Sequence, residues 1–236
     1  MMTKKKNWLF NPHKKNDDKE TSTIQLFANP LMLVPLDLDV EKLTEFAFEM
    51  WNKDKKGNQY TNRGGWHSDI ILEEEPHEEF IKLKKEITQH LQLYHSEVFR
   101  GMKFKENVVQ SLGNMWVNIN EKYHYNEWHM HPGATLSGVY YIKHDGSTKQ
   151  GDIMFKNPIA SYMESAHWSS EGEWRPNLNV VESWNMVTAG EVNITPNSNM
   201  LFIFPSWLEH KVELNLKNDS RISLSFNSRL KQEKKS

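Results

Sequence analysis

The hydrophobic pattern of the chain changes character near residue 100. Before that point, apolar residues recur at steps of three and four, the spacing of one face of an α-helix. Leu43, Phe46 and Met50 follow this rule in one segment, and Phe80 and Ile87 follow it in the next. The spacing predicts two helices, at about Val40–Trp51 and Pro76–Val98, within a helical region that covers about residues 39–100.

From Met102 onward, short runs of alternating apolar and polar residues replace the helical pattern. A period of two is typical of strands, because successive side chains of a strand point to opposite faces of the sheet. Turn-forming sequences such as His144-Asp145-Gly146 separate the runs. The pattern predicts strands at residues 116–120, 136–142, 151–155, 191–195, 200–204, 210–214 and 221–226.

Two helices followed by a series of short strands indicate an α+β fold, in which the helices buttress an antiparallel jelly roll. We expect one domain over residues 23–230, with its jelly-roll core at about 102–228, after a polar, flexible N-terminal arm at 1–22. Residues 160–188 carry three tryptophans and interrupt the strands as a loop insertion. A functional lid and an irregular insertion would both have this composition.

Composition narrows the chemistry and the partners. The chain has no cysteine, which excludes disulfides, cysteine zinc sites and thiolate nucleophiles and suits a cytoplasmic protein. The formal net charge of −2 gives no indication of a nucleic-acid partner. No stretch approaches the roughly 18 apolar residues of a membrane helix, so we expect no membrane partner. Homo-oligomer formation stays open.

Two histidines, His129 and His131, are spaced for metal binding. In an extended segment, residues two apart project to the same side at a separation of about 6.5 Å, so both imidazoles can reach one ion. In a chain with 11 histidines such a pair also arises by chance, and two histidines on a polar strand face are the alternative interpretation. His210 follows an apolar strand and begins another, where it can supply a third ligand.

Arg221 begins the last strand, whose polar residues Arg221, Ser223 and Ser225 share one face. That face could simply be exposed to solvent. Alternatively, a guanidinium grips a carboxylate through two hydrogen bonds, and a serine hydroxyl adds a further one. A metal ligand on one strand and an arginine on the next would suit a bound dicarboxylate.

Five separated stretches of the chain resemble a known family, in the same order along the sequence. Over Trp116 to Asn227 the chain resembles the catalytic core of the Fe(II)/2-oxoglutarate oxygenase superfamily. From about Ile24 it resembles an uncharacterised branch of that superfamily found in marine bacteria and their phages. The stretches are LFANPL (26–31), NRGGWHS (62–68), HMHPGATLSGVYY (129–141), FPSWLEHKV (204–212) and RISLSFN (221–227).

The resemblance implies a double-stranded β-helix, a jelly roll of cupin type, that binds Fe(II). His129, His131 and His210 fall on the positions of the iron ligands. The usual triad of these enzymes is two histidines and one carboxylate, and here His131 occupies the position of the carboxylate. Dioxygenases with three-histidine iron sites exist. Glu127 or Asp152 could alternatively supply the missing carboxylate.

The resemblance also implies 2-oxoglutarate as cosubstrate and O2 as oxidant. Arg221 falls on the basic residue that binds the far carboxylate of 2-oxoglutarate, and Ser223 matches the serine of an Arg-x-Ser pair. Tyr141 resembles a tyrosine that prolyl hydroxylases direct at that carboxylate. Asn118 is a candidate cofactor contact from the neighbouring strand.

The activity that the resemblance implies is that of an oxidoreductase, a dioxygenase that hydroxylates its substrate while 2-oxoglutarate is decarboxylated to succinate. The substrate, a small molecule or a side chain, is not indicated by the sequence. One alternative is a three-histidine metal dioxygenase of cupin type that does not use 2-oxoglutarate. Another is a metal-free β-sandwich that acts as a binding module.

Overall fold

The computed structural model of the chain describes residues 29–71, 77–99, 104, 107–160 and 189–232. The predicted N-terminal arm and nearly all of the predicted loop insertion, with its tryptophans, lie outside the described residues. The arm, the insertion and the domain limits at 23 and 230 therefore stay predictions.

Both predicted helices are present, as α1 (Val40–Lys53) and α2 (Glu78–Val98). Each begins after a residue whose side chain accepts a hydrogen bond from the amide three positions later, Asp39 for α1 and His77 for α2. Of the apolar residues at helical spacing, Leu43, Phe46, Phe80 and Ile87 are buried against the sheet that the helices cover, and Met50 is partly buried there. Among the described residues, no helix is both long and apolar enough to cross a membrane.

The described strands form two antiparallel sheets. One sheet has the order β1-β9-β6-β11-β4-β3 and the other has the order β2-β5-β10-β7-β8. All seven predicted strands are present, whereas the pattern did not predict β1, β2, β3 or β5 as strands. The strands are β1 (Met32–Pro35), β2 (Asn62–Arg63), β3 (Trp66–His67), β4 (Val108–Asn120), β5 (Tyr125–His129), β6 (Leu136–Lys143), β7 (Ile153–Lys156), β8 (Glu191–Ile194), β9 (Met200–Pro205), β10 (His210–Val212) and β11 (Arg221–Gln232).

Alternation along the strands of the six-stranded sheet divides the interior into two parts. On β11, Ile222, Leu224 and Phe226 join the large apolar core beneath the helices. Arg221 and Ser223 face the other way, yet only 1% and 7% of their surface is exposed. The polar face of β11 is therefore not a solvent-exposed face, because the second sheet covers it.

A smaller apolar cluster lies between the two sheets and includes Val139, Ile153 and Phe202. It leaves polar side chains of β4, β5, β10 and β11 around a cavity. Two helices thus buttress a two-layered antiparallel jelly roll, which confirms the predicted α+β fold and places the predicted site between the layers.

Candidate metal centre

A cavity of about 720 Å³ lies between the sheets, within the size range of small-molecule sites. Residues from both sheets contribute to its wall. All seven residues that the sequence predicts for the site line this one cavity: His129, His131, His210, Arg221, Ser223, Tyr141 and Asn118.

His129 and His210 face each other across the β5–β10 pair. They are direct partners in the antiparallel register, and their ring centroids are 4.3 Å apart. Nδ1 of His129 donates to the carbonyl oxygen of Glu127 at 2.7 Å, and Nδ1 of His210 donates to that of Leu208 at 2.8 Å. A carbonyl oxygen only accepts, so Nδ1 carries the proton in both rings and Nε2 keeps a free lone pair.

His131 completes the group from the turn that follows β5. Its main-chain N–H donates to the carbonyl oxygen of Ser206 at 2.9 Å. Its ring lies 5.0 Å from that of His129 and 5.2 Å from that of His210. One nitrogen from each of the three rings lies within 4.8 Å of the others, which makes the cluster a candidate metal site.

Burial keeps the three imidazoles neutral. It lowers the pKa of His210 well below its ordinary value and also lowers the pKa of His129. Burial, with a smaller contribution from His129, lowers the pKa of His131 to about 4. All three rings therefore offer lone pairs at neutral pH without losing a proton. Imidazole ligands suit iron, zinc, copper or nickel, whereas calcium and magnesium require oxygen ligands.

Neither alternative carboxylate lines the cavity that the described residues form. The carboxylate of Glu127 forms a two-pronged ion pair with Arg63, at 2.5 Å and 3.1 Å, in which both side chains are partly exposed. Only the main-chain carbonyl of Glu127 contacts His129. Asp152 is buried directly before β7, where its charge favours the protonated forms of Tyr141 and His144. The described geometry assembles three histidines without a carboxylate.

The guanidinium of Arg221 is buried with its charge unpaired by any carboxylate of the described residues. Nη1 donates to the carbonyl oxygens of Gln150 at 2.8 Å and Glu213 at 3.0 Å. Nη2 is buried without a hydrogen-bond partner. Burial lowers the pKa of Arg221 to about 10, which leaves the group charged at neutral pH. A side chain at Gly151 would collide with Nη1, since an added Cβ would lie 2.1 Å from it.

A row of cross-strand partners runs from Tyr141 through Ser223 to Asn118. The hydroxyl of Tyr141 is buried without a partner, and burial raises the pKa of this group, so it stays protonated and can donate. The amide nitrogen of Asn118 donates to Oγ of Ser225 at 3.1 Å, while its Oδ1 is buried and unpaired. Unpaired buried polar atoms are rare in folded proteins, and several in one cavity indicate a ligand site.

Other residues also line the cavity, among them Asn120, Trp116 and His67, and sequence reasoning did not propose Asn120 or Trp116 for the site. Asn120 lies directly opposite Arg221 in the β4–β11 register, and its position two residues after Asn118 was the available signal. Trp116 lies on the same face of β4 as Asn118, and its ring centroid is 5.8 Å from that of His131. His67 belongs to the stretch NRGGWHS, but only the pairing of β3 with β4 brings it to the cavity.

Comparison with known proteins shows the fold and gives a family match over part of the chain. The family model described as "Putative 2OG-Fe(II) oxygenase" matches residues 114–227. No curated protein matches the chain. The structure is similar to a prolyl-4-hydroxylase of Pseudomonas putida, with a TM-score of 0.52 and 14% identity over 85% of this chain and 93% of that one.

Two further solved structures are similar at the level of fold. One is a prolyl hydroxylase of Trichoplax adhaerens, with a TM-score of 0.54 and 13% identity over 84% of this chain and 83% of that one. The other is the alpha-ketoglutarate-dependent carbocyclase SnoK of nogalamycin biosynthesis, with a TM-score of 0.55 and 12% identity over 85% and 79%. These likenesses confirm the double-stranded β-helix, and the family match covers all seven predicted site residues. Residues 114–227, which carry the predicted site, thus match the model of the 2OG-Fe(II) oxygenase family.

Proposed function

We propose that the protein is an Fe(II)- and 2-oxoglutarate-dependent hydroxylase. In this proposal His129, His131 and His210 hold the iron, and Arg221 anchors the cosubstrate. The observation that carries the proposal is the pairing of two features in one cavity. Three neutral imidazoles converge at one place, and an arginine with an unpaired, buried charge faces the same space.

The donor set fits iron. His129 and His210 present Nε2 because their Nδ1 atoms are committed to carbonyl oxygens. Three facial ligands are the number that non-haem iron oxygenases use, which leaves positions for cosubstrate and oxygen. Neutral ligands leave the full charge of the metal uncompensated, so the site favours an anionic co-ligand such as a keto acid.

The opposite end of the cavity fits a carboxylate. Arg221 Nη2 and Tyr141 Oη are buried donors without partners, and a carboxylate would accept from both. Ser223 lies next to Tyr141 in the register and can add a hydroxyl. Asn118, beyond Ser223 in the same row, would border the cosubstrate on the side away from Tyr141.

Within this arrangement the residues bind and orient rather than react. Bound Fe(II) and 2-oxoglutarate together supply the oxidation, in which O2 converts the keto acid to succinate and CO2 and hydroxylates the substrate. Arg221 and Tyr141 fix the far carboxylate, which sets the direction of the chelating end. Burial of these donors excludes water that would otherwise compete for them.

The test is anaerobic titration of the Fe(II)-loaded protein with 2-oxoglutarate. We expect a visible charge-transfer band to appear with wild type and to be absent in His210→Ala. His90→Ala removes a histidine on α2 outside the cavity and should leave the band unchanged. Absence of the band in wild type, or its persistence in His210→Ala, would contradict the proposal.

A second titration separates the proposal from a cupin-type dioxygenase that does not use 2-oxoglutarate. Arg221→Met removes the charge and keeps much of the side-chain volume. Loss of a buried, charge-assisted contact costs about 2–5 kcal/mol, so 2-oxoglutarate should bind at least about 30-fold more weakly. Full substrate oxidation by Arg221→Met without added 2-oxoglutarate would favour the cupin-type reaction.

A further inference from the structure

The cavity has two chemically different ends. At one end, Arg221 Nη2 and Tyr141 Oη are donors without partners. The row that contains Tyr141, Ser223 and Asn118 continues to His67 on β3, which lies directly opposite Asn118. At that second end, the unpaired group of Asn118 is an acceptor, Oδ1.

The imidazole of His67 adds another acceptor to this end. Its Nδ1 donates to the carbonyl oxygen of Ser68 at 2.6 Å, so Nε2 carries the lone pair. Nε2 has no hydrogen-bond partner among the described residues, and the ring lines the cavity. Burial lowers the pKa of His67 below its ordinary value, so the lone pair is available at neutral pH.

Two aromatic side chains already pack against the ring. His67 stacks on Trp116, with ring centroids 5.5 Å apart and planes inclined by 11°. Tyr60 packs edge-on against it at 5.0 Å. Stacking on Trp116 takes one face of the imidazole, and its free nitrogen lies at the edge, so hydrogen bonding at this edge is favoured over stacking on a sugar or an aromatic ring.

The position of His67 relates it to the substrate and not to the cosubstrate anion. β3 lies two strands from β11, which places His67 about 10 Å from the strand that carries Arg221. On the metal side, only the indole of Trp116 separates His67 from His131, at 5.5 Å and 5.8 Å between ring centroids. A molecule oxidised at the metal would extend along this wall.

The charges at this end favour an uncharged ligand. Asp69 is the one carboxylate among the described residues that line the cavity, and it is exposed at the rim. Its Oδ1 accepts from Nδ2 of Asn58 at 2.6 Å. The unpaired acceptors deeper in the wall, on His67 and Asn118, are neutral. A desolvated cation would require a charged partner there.

We propose that His67 is a specificity-determining residue whose Nε2 accepts a hydrogen bond from a neutral N–H or O–H group of the substrate. This inference rests on the proposed function, because it assumes that the substrate is oxidised at the three histidines. An amide and an alcohol share this donor chemistry, and the test distinguishes them.

The test uses Zn(II)-loaded protein with 2-oxoglutarate and ¹⁵N-labelled histidine, and it follows Nε2 of His67 by long-range ¹H–¹⁵N correlation. Four probes share a three-carbon skeleton: propionamide donates through N–H, 1-propanol donates through O–H, N,N-dimethylpropionamide has no donor, and propylammonium is a cationic donor. We expect propionamide or 1-propanol to shift the Nε2 resonance in the direction of hydrogen-bond acceptance. N,N-dimethylpropionamide should not shift it.

Two variants provide the matched controls. His67→Phe keeps an aromatic ring on Trp116 and removes the acceptor, so the active neutral probe should bind about tenfold more weakly. His67→Gln restores an acceptor at the ring edge and should recover most of that loss. Neither variant should change the affinity for 2-oxoglutarate, measured in the same samples, because the anion end is two strands away.

The outcomes test the proposed function and the inference about His67 separately. If wild type binds no 2-oxoglutarate, the proposed function fails, whereas the response of His67 to the neutral probes is still measured. If neither neutral donor shifts Nε2 up to its solubility limit, the inference about His67 is overturned. It is also overturned if propylammonium gives the larger shift and Asp69→Asn abolishes it, since the substrate would then be a cation.

Discussion

The imidazoles of His129 and His210 are held by the same type of hydrogen bond on two neighbouring strands. Each donates Nδ1–H to the carbonyl oxygen of the residue two positions earlier, Glu127 for His129 and Leu208 for His210. Because the two histidines are also direct cross-strand partners, the register of β5 and β10 sets both rings at once. Two of the proposed ligands are therefore oriented by the sheet, and the third, His131, is added by the turn after β5.

His131 is the proposed ligand whose replacement is most informative. We expect His131→Asp to retain one metal ion per chain, because it recreates two histidines and one carboxylate. The added negative charge should weaken 2-oxoglutarate binding, since the metal becomes less positive toward an anion. Metal analysis and calorimetry measure both effects. His131→Ala is the control and should lose most of its metal; full metal retention by His131→Ala would show that His131 is not a ligand.

Glu127 offers a direct test of the alternative ligand set. Its carboxylate is paired with Arg63 at the surface, so Glu127→Gln should leave metal content and the charge-transfer band unchanged. The free energy of unfolding should fall by no more than about 1 kcal/mol, the usual contribution of an exposed ion pair. Arg63→Gln should have a similarly small effect on stability. Loss of metal in Glu127→Gln alone would identify the carboxylate as a ligand after all.

Tyr140 and Tyr141 lie on opposite faces of β6, and we expect their replacement by phenylalanine to change the free energy of unfolding in opposite directions. Tyr141 Oη is buried without a partner in the cavity, so Tyr141→Phe removes an unsatisfied group. We expect the ligand-free variant to be as stable as wild type or more stable, by up to about 1–3 kcal/mol. In the proposed function the same change removes a donor to the far carboxylate of 2-oxoglutarate, so 2-oxoglutarate should bind about tenfold more weakly.

Tyr140→Phe is the matched control for that experiment. Tyr140 Oη donates to Oδ1 of Asn199 on the helix side of the sheet. Its loss should lower the free energy of unfolding by about 1 kcal/mol and leave 2-oxoglutarate affinity unchanged. Chemical denaturation measures the free energy of unfolding of both variants, and calorimetry measures their affinity for 2-oxoglutarate. Equal effects of the two substitutions on 2-oxoglutarate binding would mean that Tyr141 does not contact the anion.

The local pattern of apolar and polar residues was sufficient to predict the helices and most of the strands, and β11 shows the reason. Its alternation separates Ile222 and Leu224 from Arg221 and Ser223, and a period of two is a property of the strand itself. Which of the two faces is covered by a second sheet is not local. The pattern alone therefore left open whether Arg221 was exposed, and the paired sheets show that it is buried.

The residues that escaped prediction depend on register or on loops. Two-residue strands such as β3 are too short to show any period, so His67 could not be placed beside Asn118. The facing of Asn120 and Arg221 requires the alignment of strands that are about 100 residues apart in the chain. For the same reason, the ion pair of Arg63 with Glu127 could not be foreseen, and the carboxylate stayed a candidate ligand.

His144 links the stability of this region to pH. The side chain is 3% exposed, next to Tyr141, and the charges of Arg221 and Asp152 act on it. Burial lowers its pKa from 6.5 to about 4, so the folded protein keeps the ring neutral. Between these values the unfolded chain binds the proton and the folded protein does not. Stability is therefore fully present above about pH 6.5 and falls as the pH is lowered toward 4.

The expected size of this effect is about 3 kcal/mol between the two pH values, at about 1.4 kcal/mol for each unit of pKa difference. In wild type the N–H of Gly146 donates a hydrogen bond to Nδ1 of His144. His144→Asn keeps an acceptor near this N–H. The variant should be less stable at neutral pH, because a ring is lost from a packed site, but its stability should decline less steeply below pH 6.5. Urea denaturation at several pH values, with both proteins at the same metal loading, measures the two slopes. The metal-site histidines contribute equally to both proteins, so parallel curves would show that the pKa of His144 is the same in the folded protein and in the unfolded chain.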